Sequence, residues 1–396
     1  MKILMVSLPF TGHVNPTLGL GKAFADAGHD VTFILTDDWK EAIYKTGAQY
    51  IPYDNFPINP TPFELRRLSF KAAYETAYRI GKNFDAIVYE MLFFLGKNCA
   101  DRLSLPSIRL FSTFALDREI LNRFVYTGGP LMGLIKSNTI SKWITKKLIG
   151  NISLGRKDLL SAITEDVPGL NFVFTTREFQ VHSEKFSDDK YKFIGPSISA
   201  RNNDEQQVFS NSNSPLIYIS LGSMLNNSKR FYKRCIKAFK SENVSVIMSI
   251  GKKVDIEDLG KIPPNIKIYP YVPQLQVLKN ADLFITHGGM NSVNEALHFG
   301  VPMVVLPLAT DQPTIADRIV ELNLGRRFSN KSPLVEEIRN QAISVLSDKS
   351  ILEQTKKFQS FSKQAKGTSY AVLEAEKYIK HCQSKKECLS ASSQTL

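Results

Sequence analysis

The sequence predicts an α/β protein built from two doubly wound, parallel-sheet domains that face each other across a cleft. Three observations lead there. Short, almost wholly apolar runs alternate with helical periodicity, the mark of strands covered on both faces and joined by crossover helices. This grammar occupies residues 3 to 111 and then restarts near Leu216. Between the halves, Arg201 to Ser214 is polar, rich in Asn, Gln and Ser, and without period, which reads as a linker.

Taken in order, Ile3 to Leu8 predicts the first strand. Gly12-His13-Val14-Asn15-Pro16 follows, then Leu20, Phe24 and Ala27 at helical spacing. Asn15 as N-cap, Pro16 as first helical residue and Gly28 just past the end predict a helix between them. Further strands are expected at Val31 to Leu35, Ala86 to Tyr89 and Ser107 to Phe111. In the second half they fall at Leu216 to Leu221, Val244 to Ile250, Ile266 to Val272, Leu283 to Thr286 and Met303 to Leu306. Repeated strand–helix–strand units require right-handed crossovers and parallel pairing. The expected division is residues 1–200, a linker at 201–214, a second domain at 215–383 whose last helix is free to pack back on the first, and a frayed polar tail at 384–396.

Composition narrows the function. The balance of 50 Lys+Arg against 38 Asp+Glu leaves +12, which favours anionic partners. With no zinc spacing, no aromatic stripe and no nucleic-acid module, a phosphate-bearing small ligand is the better reading, and no nucleic acid is expected. Cys99, Cys235, Cys382 and Cys388 are scattered without a CxxC, as in a reduced chain with neither disulfides nor a metal site. The apolar start is too short for a signal segment, and no run reaches the roughly 20 apolar residues that span a bilayer. A cytoplasmic monomer is the default expectation.

The densest chemistry lies between Tyr271 and Gln312. Tyr271-Val272-Pro273-Gln274 precedes a strand, and His287-Gly288-Gly289 forms a tight turn in front of a helix opened by Asn291-Ser292 and carrying Glu295. Glycines before a helix N-terminus let backbone N–H groups approach an anion. His287, Asn291 and Ser292 add donors, and Glu295 is an acceptor suited to two sugar hydroxyls. Any one of these residues has an ordinary reading as turn, loop or solvated helix; together they suit a nucleotide diphosphate.

This stretch resembles the donor-binding signature of UDP-dependent, inverting glycosyltransferases of the GT-B fold, two Rossmann-like domains, in the bacterial macrolide and natural-product branch of family 1. Gly12-His13-Val14-Asn15-Pro16, Ser107-Ile108-Arg109, Phe193-Ile194-Gly195-Pro196 and Ser220-Leu221-Gly222-Ser223 extend the resemblance over nearly the whole chain. It implies that the base packs on Tyr271 and bonds the Val272 backbone, and that Gln274 and Glu295 hold the ribose. The diphosphate would go to Ser223, His287, Gly289, Asn291 and Ser292, and the sugar hydroxyls to Asp311 and Gln312. Tyr271 stands where much of the family has Trp, and Gly289-Met290 where plant relatives have Cys-Gly-Trp.

The resemblance also implies that His13 is the general base, in the loop after the first strand, and that its partner is an acid ending the strand at Ala86 to Tyr89. The family has Asp there; this chain has Glu90, with Asp117 as the alternative acid. A neutral histidine titrates near working pH, and a carboxylate fixes its tautomer. The leaving diphosphate on a helix end implies no metal and no cofactor beyond the UDP-sugar, and Asp311-Gln312 points to glucose as the donor sugar. Acceptor-side aromatics from residues 56 to 160, among them Phe63, Phe93 and Phe114, suit a small apolar acceptor such as a polyphenol, macrolide, steroid or terpenoid, although core packing explains many of them. Leu131 to Leu154 mixes apolar residues and one Trp with four lysines, either a helix packed on the domain or a weak peripheral membrane contact, which would make the acceptor a lipid. A sugar-nucleotide 2-epimerase and a non-catalytic nucleotide-sugar binder share the fold and remain open at this point.

Overall fold

Ile3, Leu4, Met5 and Val6 are buried with no polar side chain among them, so β1 (Lys2–Val6) can only be an interior strand. The computed structural model describes residues 1–127, 143, 159–198, 214–222, 228–308 and 310–393. It divides into two units, Met1–Ile198 with Ala365–Leu396, and Ser199–Gln364.

In the first unit β1 pairs in parallel with β2 (Asp30–Leu35) on one side and β4 (Ala86–Glu90) on the other. Beyond them lie β3 (Gln49–Pro52), β5 (Ser107–Phe111), β6 (Leu170–Val173) and β7 (Tyr191–Phe193), in the order β3-β2-β1-β4-β5-β6-β7. The order reverses between β1 and β4, which makes the carboxyl ends of these two strands a topological switch point, the place where such sheets bind ligands. The second unit repeats the plan with β8 (Leu216–Ser220), β9 (Ser245–Ser249), β10 (Ile266–Tyr269), β11 (Leu283–Thr286), β12 (Met303–Val305) and β13 (Gly325–Arg327), ordered β10-β9-β8-β11-β12-β13. Its switch point lies between β8 and β11.

The first helix corrects one expectation. It runs Thr11–Asp26 with Phe10 as N-cap, a turn earlier than Asn15 and Pro16 predict, and Pro16 lies inside it. Burial decides the matter: Val14, Pro16, Thr17, Leu20, Gly21 and Phe24 all face the interior. That packing outweighs the hydrogen bond a proline forgoes. At the other end Gly28, at φ +83°, donates to the Ala25 carbonyl, and the His29 N–H reaches Phe24, a Schellman closure.

The chain returns to the first unit at its end. The Gly367–Ser393 helix inserts Ala371, Val372, Ala375 and Ile379 into the first unit's core, and Glu376 Oε1 meets His29 Nε2 at 2.9 Å. It continues as helix through Ser393, past the point where a frayed tail was expected. Among the described residues no helix is long and apolar enough to cross a membrane. Residues 131–154 and the linker 201–213 lie outside the described residues, apart from an exposed Trp143.

Candidate active site

In the first unit, Val6 of β1 stands opposite Tyr89 of β4, so each chain leaves the sheet at the same level. The residue after Tyr89 is Glu90, wholly buried; the first turn of the Thr11–Asp26 helix carries His13, whose side chain keeps 26% exposure. His13 is therefore helical, not on a loop as expected, because the helix starts early. Glu90 Oε1 lies 2.7 Å from His13 Nδ1.

Two more donors complete the carboxylate. Ser112 Oγ donates to Glu90 Oε1 at 2.7 Å, and the Leu92 N–H donates to Oε2 at 2.8 Å. Since the Ser112 proton is directed at Glu90, its oxygen can only accept from His13 Nδ1, 2.8 Å away. Nδ1 therefore carries a hydrogen, shared between Glu90 and Ser112, and in the neutral ring Nε2 carries the lone pair. Ser112 was not anticipated from sequence. The signal was present: it directly follows β5, whose Leu110 pairs with Glu90, at the same edge of the sheet.

The second unit builds a different chemistry at its own switch point. The turn after β11 places His287 between two glycines. A Cβ on Gly222 would sit 2.6 Å from the ring's Cε1, and one on Gly289 2.6 Å from its Nε2. Gly288 takes φ +83° to make the turn. Burial pushes the His287 imidazole down to about 4, so it is neutral at physiological pH. Its Nδ1 is buried and has no hydrogen-bond partner among the described residues.

The helix that follows, Met290–Phe299, opens on Gly289 as N-cap without a capping side chain. It starts one residue before the expected Asn291-Ser292. The first intrahelical bond comes from the Val293 N–H to the Gly289 carbonyl, so the Met290, Asn291 and Ser292 N–H groups lie ahead of the ladder. No acidic residue occupies the first turn, so no carboxylate of the helix itself offsets the positive end of its dipole.

A relay of side chains lies beside this helix end. Tyr218 O–H donates to Gln274 Oε1 at 3.2 Å, which turns the amide nitrogen toward Glu295 Oε2 at 2.6 Å and Ser292 Oγ at 3.2 Å. Burial raises the Tyr218 phenol above its ordinary range, so it remains a donor. Just before Gln274, the Val272 side chain is buried, whereas the Tyr271 ring is 67% exposed, free to receive a flat partner.

These two constellations can be set beside known proteins. The NDP-glycosyltransferase YjiC of Bacillus subtilis is 33% identical over 96% of this chain and 97% of its own. The chain belongs to the natural-product glycosyltransferases of family 1. A second B. subtilis relative, named as an uncharacterized UDP-glucosyltransferase YojK, is 31% identical over 95% of this chain and 97% of its own. The profile of the erythromycin biosynthesis protein CIII-like C-terminal domain matches residues 236–365 of this glycosyltransferase. The crystal structure of the glycotransferase of kitacinnamycin superposes with a TM-score of 0.80 at 26% identity, covering 95% of this chain and 98% of that one. Two parallel-sheet α/β units of the GT-B kind are thus the fold of this glycosyltransferase.

Not every expected residue of the glycosyltransferase joins these sites. Phe93 and Phe114 are fully buried: Phe93 packs edge-on against Tyr89 and Phe114 against Phe179, so neither offers a surface to an acceptor. Aromatic density in an α/β unit is first of all core, and that demand took both rings. The side chain of Phe63 and the whole of Ser223 lie outside the described residues. Asp117, the alternative acid, caps the Arg118–Thr127 helix through the Ile120 N–H and faces Lys185 at 3.2 Å. With Glu119 and His182 it makes a group of the size that could hold a metal ion, but the Lys185 ammonium lies against both carboxylates. Gln312 is buried and accepts from the Leu308 N–H on its Oε1 at 2.8 Å. Asp311 follows Thr310, a β-branched residue at φ +56°, an uncommon conformation that marks a constrained turn.

Proposed function

We propose that the enzyme transfers glucose from UDP-glucose to a hydroxyl of a small hydrophobic acceptor, with inversion, giving a β-glycoside. The observation that carries this reading is the His13–Glu90 pair at 2.7 Å with Nδ1 committed to a buried carboxylate. His13 Nε2 takes the acceptor hydroxyl proton as the oxygen attacks the anomeric carbon; the bond from that carbon to the diphosphate oxygen breaks, and its electrons leave with UDP. Glu90 stabilises the imidazolium so formed.

In this reading the first unit supplies the base and the second receives the leaving group. Tyr271 stacks on the uracil, Val272 bonds its edge through the backbone, and Glu295, oriented by Gln274, accepts from the ribose. The N–H groups at Met290–Ser292, together with His287 and the Asn291 and Ser292 side chains, meet the diphosphate. Charge on the departing group is thus met by fixed dipoles, and the proposed mechanism assigns no role to a metal. Asp311 and the Gln312 amide bond the glucose hydroxyls. The relative named as a UDP-glucosyltransferase supports this donor, and the likeness to an erythromycin-biosynthesis domain and to the glycotransferase of kitacinnamycin supports the acceptor class.

The experiment is UDP release from UDP-glucose by wild type, His13→Ala and Glu90→Ala, against a panel of flavonoids, macrolides and sterols. Acceptor-dependent release that collapses in both variants while UDP affinity persists is expected. Release that continues undiminished in His13→Ala would refute the assigned base.

A further inference from the structure

Arg109, in the middle of β5, is the bulkiest of the fully buried side chains. A wholly enclosed guanidinium is costly, and apolar residues of like volume commonly stabilise such a position better. No carboxylate lies within ion-pair distance of Arg109 among the described residues. Its contacts are instead two backbone carbonyls: Nη1 donates to Ile163 at 2.6 Å and Nη2 to Met91 at 3.0 Å, with the guanidinium 4.8 Å from the Phe111 ring centroid.

The Met91 carbonyl is the informative one. It belongs to the same peptide group as the Leu92 N–H, and that N–H holds Glu90 Oε2 at 2.8 Å. A peptide group is rigid and planar, so a donor fixed on its oxygen also fixes the direction of its N–H. A cationic donor on the oxygen further polarises the group and strengthens the N–H as a donor. The rest of the turn is pinned around it, with the Met91 N–H on Leu110 and the Phe93 N–H on the Glu90 carbonyl.

We propose that Arg109 is a positioning residue for the base pair: through the Met91–Leu92 peptide it orients Glu90, and so holds Oε1 on His13 Nδ1. Arg109 touches no reacting atom in this scheme. The proposal rests on the reading of His13 as base, and its test separates the two. Burial lowers the guanidinium's pKa, and Tyr89, Glu90, Tyr191 and Asp166 act on it electrostatically in the opposite direction.

The test uses proton NMR of the full chain to find the hydrogen-bonded imidazole N–H of His13, assigned by its loss in His13→Gln. Turnover with UDP-glucose and quercetin, and UDP affinity by calorimetry, are measured alongside. In Arg109→Met the signal should move upfield or vanish and kcat should fall about tenfold, the scale of one misplaced charged hydrogen bond. UDP affinity should not change, and Arg109→Lys should recover part of both the signal and kcat. If Arg109→Met does not fold, Arg109→Gln, too short to reach Met91, carries the same expectations. A wild-type signal that survives unchanged with full kcat in the uncharged variant overturns the proposal alone. A wild-type spectrum with no His13-dependent signal overturns the base-pair reading and the proposal with it.

Discussion

Replacing Glu90 by Gln tests the base pair at a single atom. The carboxylate accepts from His13 Nδ1 and Ser112 Oγ on one oxygen and from the Leu92 N–H on the other. A carboxamide has one acceptor end. With its oxygen toward His13, its NH2 faces the Leu92 N–H, two donors in a wholly buried place, at a cost of about 1–3 kcal/mol. Turned over, it satisfies Leu92 but presents NH2 to His13, forcing the lone pair onto Nδ1 and the hydrogen onto Nε2. The second arrangement avoids the donor clash and removes the base. A positioned general base contributes about 10²–10⁴ in rate, and a wrong tautomer in a comparable histidine–carboxylate pair costs about 10⁴. The expected fall in kcat for Glu90→Gln is therefore about 10³, or about 4 kcal/mol of activation free energy. Steady-state UDP release at saturating UDP-glucose reads it, with UDP affinity as the control on folding. Glu90→Asp, shorter by about 1.5 Å, should also lose activity despite keeping its charge, because the 2.7 Å contact would open beyond hydrogen-bond range. A Glu90→Gln enzyme within about threefold of wild-type kcat, with UDP affinity intact, would refute the reasoning.

Other consequences follow from the second unit. Gly289→Ala drives a Cβ into the His287 ring at 2.6 Å and should weaken UDP binding at least tenfold by calorimetry, with about 1–3 kcal/mol of stability lost in urea titration. His287 has a folded pKa of about 4 against 6.5 unfolded, so the unfolded chain binds more protons between those values and stability falls as pH drops through that window. Comparing urea midpoints at about pH 7 and pH 5 should show a loss on the order of 2 kcal/mol that His287→Gln lacks. Tyr271→Ala removes the exposed stacking face and should weaken UDP affinity about tenfold, while Tyr271→Trp should strengthen it severalfold.

Much of the fold was legible because buried parallel strands have few alternative readings. Val31 to Leu35, Ala86 to Tyr89 and Leu283 to Thr286 are apolar runs that nothing but an interior strand explains, and all appear within a residue of their expected bounds. The missed strands had weaker patterns: Gln49–Pro52 is a half-buried edge ending in proline, Leu170–Val173 and Tyr191–Phe193 are short and interrupted by Asn171 and Lys192, and Gly325–Arg327 is short and carries two arginines. The early start of the first helix escaped because its proline points to a beginning, whereas burial of Val14 and Pro16 demands continuation. At the sites, strand ends could be located from sequence, which is why His13 and Glu90 could be set against each other. Ser112 could be placed at the same edge by the same argument, but a serine after a strand carries no pattern that singles it out as a partner of the pair. Phe93 and Phe114 show the converse failure, because side-chain type does not say which face of an element a ring occupies.

The central claim is a single displacement at the anomeric carbon by an oxygen that His13 deprotonates. The most direct measurement is the anomeric configuration of the product formed from UDP-glucose, whose sugar is α-linked, read from the H1–H2 coupling in proton NMR. A β-glycoside is predicted; an α-linked product would contradict the mechanism.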